Sequence, residues 1–290
     1  MSPAKAVRFH FDYISHNAYL AWTQLAPLAA RYGYDVEPVP VLFAGLLGAH
    51  GQRGPAEVLP KAVWMGKNLL RKAALLGVPL NPPAFHPFNP LLALRASGVP
   101  SEVAARRTLV DALFRAVWVD GQHVSEPAVV ERVATAAGFD GPAIVAAANA
   151  PEAKARLRRD TDAAIASMVF GVPSMAIGDE VFWGYDDFPY LELFLAGKDP
   201  LDQKRWREWI GGVRPSAMRK EVLGPRSCSP RCSLPRRLGP RSPSPSAAPT
   251  RSTRSAARPS LPAPPSPPTT SPSSAGRSGS GAAARSRAAP

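Results

Sequence analysis

The chain has 290 residues, a formal net charge of +13 and an isoelectric point near 10.3, a balance that invites a nucleic-acid reading. The charge is not spread evenly. Residues 224–290 hold 11 Arg and no Lys, Asp or Glu, so residues 1–223 keep 24 basic and 22 acidic side chains and are nearly neutral. A generally basic nucleic-acid-binding domain is excluded, and both cysteines, Cys228 and Cys232, fall in the basic tail, so the rest offers no disulfide, thiolate metal site or cysteine nucleophile.

The first element is a strand. Val7, Phe9, Phe11 and Tyr13 alternate with Arg8, His10 and Asp12, the period of a strand with one buried face. Residues 17–32 follow with a helical stripe of Leu20, Gln24, Leu28 and Tyr32; Pro27 inside it suggests a kink or an early break, and Gly33 suits the helix end. YDVEPVPV, residues 34–41, reads as a second strand whose prolines suit a sheet edge. Strand, helix, strand is a βαβ opening with a right-handed crossover.

From residue 43 to 160 the pattern is helical, with helices expected over about 57–76, 101–118, 126–137, 141–149 and 151–168. Ser125 and Asp140 stand where N-caps are needed, and Pro151 suits a first helical turn. Strand character returns in SMAIGDEVFWG, a hairpin turning through Gly178 and Asp179, before a last helix over about 188–195 that ends at Gly197. The order βαβ, helices, ββα predicts an α/β fold. A thioredoxin-like domain (1–42 and 161–200) carries an all-helical insertion (43–160), then a C-terminal extension (201–223) and a disordered tail (224–290) rich in Arg, Pro and Ser. Such a tail buries too little apolar surface to offset the entropy of ordering; the abrupt change of composition after Val222 is also what a shifted reading frame produces. The first residues lack the apolar run of a secretory signal and no stretch is long enough to span a bilayer, so a cytoplasmic protein is expected.

Chemistry is concentrated at three places. Ser15 lies at the strand-to-helix junction of FDYISHNAYLAW, among backbone N–H groups without intrahelical partners, where an anion is stabilised. Capping alone also accounts for a serine there. In FGVPSM, Pro173 precedes the hairpin, and in VFWGYDD the hairpin runs into the last helix, with Asp186 placed either to cap it or to bind a ligand.

FDYISHNAYLAW, GVPSMAIGDEVFWGYDD, the stretch PVLFAGLLGAHGQRGPAEVLPKAVWMGKNL and HPFNPLLALR together resemble the 2-hydroxychromene-2-carboxylate isomerases, relatives of the kappa-class glutathione transferases, over residues 5–197. The resemblance implies a glutathione-dependent isomerase of aromatic catabolism, and with it a reason for a serine where related folds have a redox cysteine: Ser15 holds a cofactor thiolate. It also implies a cis Pro173, with the Val172 main chain pairing with the cysteinyl part of glutathione. Tyr185 and Asp186 hold the γ-glutamyl end, the Asp186 carboxylate taking its ammonium and a helix N-terminus its carboxylate, while Trp183 and Gly184 shape the same wall. Lys61 meets the glycyl carboxylate, Gln52 stands where relatives place an amide, and the molecule is a homodimer acting on a small electrophilic, aromatic substrate. His16 and Asn17 stand where the family commonly has Pro and an aromatic residue, and are the candidates for substrate contact; His16 is either a proton donor or a solvated group. The family motif often continues Asp-Arg, whereas here Asp187 follows Asp186. A kappa-class transferase or peroxidase is the alternative with the same thiolate site. Nucleic acid is met only nonspecifically, through the Arg-rich tail. A DsbA-type dithiol enzyme is disfavoured, because Ser15 and Ala18 occupy both cysteine positions.

Overall fold

A computed structural model describes residues 5–213 of the chain. The disorder expected for residues 224–290, and both cysteines, lie outside the described residues. Four strands form one mixed sheet: β1 (Ala6–Phe11), β2 (Asp35–Pro40), β3 (Ser174–Ile177) and β4 (Glu180–Trp183), in the order β2-β1-β3-β4. β1 pairs parallel with β2 and antiparallel with β3, which turns back on β4. The prolines of β2 are tolerated because that strand is an edge.

The βαβ opening is completed by α1 (His16–Arg31). Pro27 neither breaks nor ends this helix, which continues for a full turn beyond it. The end is set six residues after Pro27, where Gly33 adopts φ +72° and the N–H groups of Gly33 and Tyr34 donate back to Ala30 and Ala29. That left-handed turn satisfies the last carbonyls and needs a residue without a Cβ.

The insertion contains α2 (Phe43–Ala49), a 3-10 turn (Pro55–Glu57), α3 (Leu59–Leu76), α4 (Leu91–Ser97), α5 (Val103–Trp118), α6 (Pro127–Ala136), α7 (Gly141–Asn149) and α8 (Pro151–Ala166). Asp140 caps α7 as expected, its carboxylate accepting from the Ala143 N–H at 3.0 Å. Ser125 does not cap α6: its hydroxyl donates to the Asn89 carbonyl at 2.6 Å and ties α6 to the segment before α4. After the hairpin come a 3-10 turn (Tyr185–Asp187), α9 (Phe188–Leu195) and α10 (Gln203–Gly212); the last of these, in the expected extension, follows the helix that sequence periodicity marks as final.

β1 is sandwiched rather than half-exposed. Val7, Phe9, Phe11 and Tyr13 enter a core with α1, α5 and α9, and Phe11, Tyr13 and Phe114 form a tight aromatic group. The opposite face is also closed at its end, where His10 and Asp12 are buried. A smaller cluster of Val41, Leu46, Ala164, Val169 and Val172, with Phe43 packed against it, covers that side. Among the described residues, no helix is long and apolar enough to cross a membrane.

Candidate active site at the first strand-helix junction

The loop between β1 and α1 is held from several directions. Asp12 turns its carboxylate onto the Ile14 N–H at 3.1 Å and onto the Phe43 N–H, the first of α2, at 3.0 Å. The Trp118 indole N–H donates to the Tyr13 carbonyl at 3.0 Å, and the His86 ring nitrogen Nε2 donates to the Ile14 carbonyl at 2.8 Å. The Tyr13 hydroxyl lies 2.6 Å from Ser97 Oγ, and because Ser97 donates onward to the Ala93 carbonyl, the tyrosine is the donor. Burial pushes the Tyr13 hydroxyl far above its ordinary pKa and keeps that proton in place.

Ser15 emerges from this strapped loop with an extended backbone and caps α1: its Oγ accepts from the Ala18 N–H at 3.2 Å. The same hydroxyl points its proton at the Val172 carbonyl at 3.4 Å, longer than a normal O–H···O bond. Capping and an outward-facing, weakly engaged proton therefore coexist in one side chain. The Val172–Pro173 peptide is cis, as the resemblance implies, and stands opposite the N-terminus of α1.

Burial, together with His86 and Lys72, lowers the His16 pKa to about 4. The ring packs edge-on to Trp118. His16 is thus a partly buried imidazole whose lowered pKa favours the neutral form at neutral pH. Beside it, Asn17 Oδ1 is buried without a hydrogen-bond partner among the described residues. Burial raises the Asp12 pKa to about 7 against the two N–H groups that oppose the shift.

The second wall is formed by residues 183–187, which pack against α1 through the 3-10 turn. The Gly184 N–H donates to the Pro173 carbonyl at 2.9 Å, with Gly184 at φ +79°. Trp183 lies half-exposed against Phe170, directly over Gly171, where a Cβ would sit 2.6 Å from the indole nitrogen. Asp186 does not cap a helix. Its carboxylate pairs with Lys72 of α3 at 2.8 Å, while Asp187 accepts from the Trp183 N–H. Tyr185 packs on Phe188 with the rings tilted, and the Lys72 ammonium lies 5.8 Å from the Tyr185 ring centroid.

Ser15, His16, Val172, Pro173, Trp183, Gly184, Tyr185 and Asp186 therefore line one region. Gln52 lies in the exposed loop after α2 and Lys61 on the exposed first turn of α3. Among the described residues, no hydrogen bond or ion pair joins either side chain to Ser15, Val172 or Asp186. Sequence reasoning missed Lys72, His86 and Trp118. His86 stood in a quoted motif, but Lys72 carried no local signal.

A family model described as the DSBA-like thioredoxin domain matches residues 6–196. A 2-hydroxychromene-2-carboxylate isomerase of Sphingobium xenophagum is 32% identical over 195 residues, 66% of this chain and 98% of that protein. The glutathione S-transferase kappa 2 of Caenorhabditis elegans is 26% identical, over 71% of this chain and 99% of that one. Among solved structures, a 2-hydroxychromene-2-carboxylate isomerase superimposes with a TM-score of 0.62 at 28% identity, covering 72% of this chain and all of the other.

Proposed function

We propose, for a chain that belongs to the 2-hydroxychromene-2-carboxylate isomerase family within the DSBA-like thioredoxin domains, a glutathione-dependent isomerisation of a small aromatic carboxylate of the 2-hydroxychromene-2-carboxylate type. The observation that carries this reading is Ser15: a hydroxyl at the N-terminus of α1, aimed at the carbonyl before a cis proline, where a dithiol enzyme needs a cysteine.

Glutathione, when bound, supplies a thiolate that adds to a conjugated carbon and leaves again by elimination, so that rotation about the carbon–carbon bond between the two steps changes the geometry and the thiol is not consumed. The protein's part is to hold that thiolate charged. The Ser15 hydroxyl exchanges its weak bond to Val172 for a bond to sulfur, and the free N–H groups of the first turn of α1 add positive potential at the same point. Val172 offers main-chain groups to the cysteinyl part, Asn17 an unpartnered acceptor, and His16 a neutral ring that orients substrate through a hydrogen bond. Gln52, in the loop after α2, and Lys61, on the first turn of α3, are assigned to the glycyl end. The buried aromatic floor of Trp118 and Tyr13 excludes water beneath the reacting atoms.

Ser15→Ala tests this reading. Losing a hydrogen bond to an anion costs roughly 1.5–3 kcal/mol, on the order of tenfold to over a hundredfold in turnover, and the pKa of bound glutathione, followed by thiolate absorbance, rises in step. A mutant that loses only the stability of a cap, about 0.5–2 kcal/mol, with normal turnover and normal thiolate pKa, would sink the mechanism. Thiol consumption alongside product formation would instead favour transferase chemistry, as in the kappa-class relatives.

A further inference from the structure

Helix α3 distributes its side chains in an unusual way. Leu59, Trp64, Leu70 and Leu75 stand out in solvent, whereas the side chain of Lys72 is only 13% exposed. A lysine is rarely drawn in while leucines of the same helix stay out. Its ammonium is 2.8 Å from Asp186 Oδ2, close to the Tyr185 ring, and near enough to His16 to act on that imidazole. The Asp186 side chain is 73% exposed, so the pair is open on one side, and open ion pairs add little to stability. Stability therefore does not explain why Lys72 is drawn in. Among the described residues Asp186 Oδ1 accepts no hydrogen bond, and the Lys72 ammonium, which has three N–H groups, makes one hydrogen bond.

We propose that Lys72 and Asp186 act together as a receptor for an α-amino-acid zwitterion, with the ammonium received by Asp186 and the α-carboxylate by Lys72; in the reading above, on which this inference rests, that zwitterion is the γ-glutamyl end of glutathione. The argument is one of charge. An ammonium alone at Asp186 is set against the Lys72 cation, and a carboxylate alone at Lys72 is set against Asp186. A ligand with both signs on one carbon makes a ring of four charges in which every neighbour is opposite. The sequence reading gave the α-carboxylate to a helix N-terminus, yet that turn already carries the Asp187 carboxylate, engaged with the Trp183 N–H. Where the family motif often continues with arginine, this chain has Asp187, and α3 brings a cation to the same place from 114 residues away.

Calorimetric titration of the full chain with three thiols tests the assignment: glutathione, an analogue without the α-carboxylate (4-aminobutanoyl-cysteinylglycine), and one without the amine (glutaryl-cysteinylglycine). Lys72→Met weakens glutathione binding on the order of tenfold or more but does not weaken the decarboxylated thiol, whose ammonium no longer faces a cation. Asp186→Asn weakens glutathione and does not weaken the deaminated thiol, whose carboxylate no longer faces an anion. Lys72→Arg retains binding, and melting curves of the variants match the wild type. If wild-type protein binds glutathione but Lys72→Met weakens glutathione and the decarboxylated thiol equally, or weakens neither, the zwitterion receptor is overturned and the glutathione reading stands. If wild-type protein binds none of the three thiols, both fall.

Discussion

The two walls of the site are built in opposite ways. On the Ser15 side, Phe11, Asp12 and Tyr13 are essentially inaccessible and the loop is tied to α2, α4 and α5 and to the segment before α4 by side-chain hydrogen bonds. On the other side, Trp183 is 48% exposed and Asp186 more so, with one ion pair and a few turn hydrogen bonds holding the strip. The wall assigned the reacting sulfur is an extension of the core, where a small displacement of Ser15 is resisted by packed aromatic rings. The wall assigned recognition is a rim that solvent reaches. On the proposed reading, chemistry and specificity fall to parts of very different local stability, so substitutions on the two walls should separate into distinct classes.

The largest effect is expected from the buried wall. Trp118 is 2% exposed, packs on His16, Tyr19 and His86, and donates to the Tyr13 carbonyl. Trp118→Ala removes a large side chain and leaves that carbonyl unpaired, which should cost about 3–5 kcal/mol. Denaturant unfolding should show a lower midpoint with little change in slope. A loss below about 1 kcal/mol would mean that the Ser15 loop does not depend on the insertion for its position.

How far this division could be read in advance follows from the range of the interactions. The existence of the first strand, the Gly33 helix end, the Asp140 cap and the Gly178 hairpin are decided by neighbours a few residues apart, and the structure has all four. Ser15 and Pro173 were legible as a pair because the motifs around them resemble a known family. Pro27 misled, since a proline that breaks an isolated helix is tolerated where packing holds both halves. The short helices α2 and α4 were hidden by flanking glycines and prolines. Ser125 was taken for a cap because its preferred acceptor, Asn89, is distant in sequence. Lys72 could not be found at all: nothing within its own helix distinguishes it, and the carboxylate it pairs with lies 114 residues away in sequence. The buried character of His10 was likewise invisible, because alternation assigns it to the open face.

A second prediction separates the walls by acid. Burial, with Arg8 beside it, lowers the His10 pKa to about 4, and His16 is depressed to a similar value. Both histidines take up protons on unfolding below pH 6.5, so their contribution is present above that pH and is lost as pH falls toward 4. Asp12, raised to about 7, has the opposite sign: the folded state holds its proton between about 4 and 7, and that contribution fades as pH rises through 7. Near pH 5 the unfolded chain therefore binds about two protons at the histidines and the folded one about one at Asp12. The net uptake of one proton corresponds to a stability that falls by about 1.4 kcal/mol per unit of acidification between pH 6 and 4.5. In His10→Leu the slope should vanish over that range. A wild-type stability that is flat or rises on acidification would show that these groups are not held as the buried wall requires.

The smallest effect on folding is expected at the rim. Trp183 packs by one face on Phe170 and over Gly171, with the rest of the ring in solvent. An aromatic pair of this kind is worth about 0.5–1.5 kcal/mol beyond area, and exposed substitutions usually stay within about 0.5 kcal/mol, so Trp183→Ala should cost on the order of 1 kcal/mol or less. Glutathione affinity, measured by the same calorimetry, should nevertheless weaken severalfold, because the indole covers the start of the strip that ends at Asp186. Gly171→Ala offers the complementary case. Its methyl group meets the indole nitrogen at 2.6 Å and pushes the ring outward, displacing the wall while leaving the Phe170 side chain and the buried core in place. If the rim is a recognition surface, this variant should resemble Trp183→Ala in affinity and the wild type in melting temperature. If instead Trp183→Ala lowers stability by several kcal/mol, the rim is part of the core after all, and the two walls are not the separate devices their burial implies.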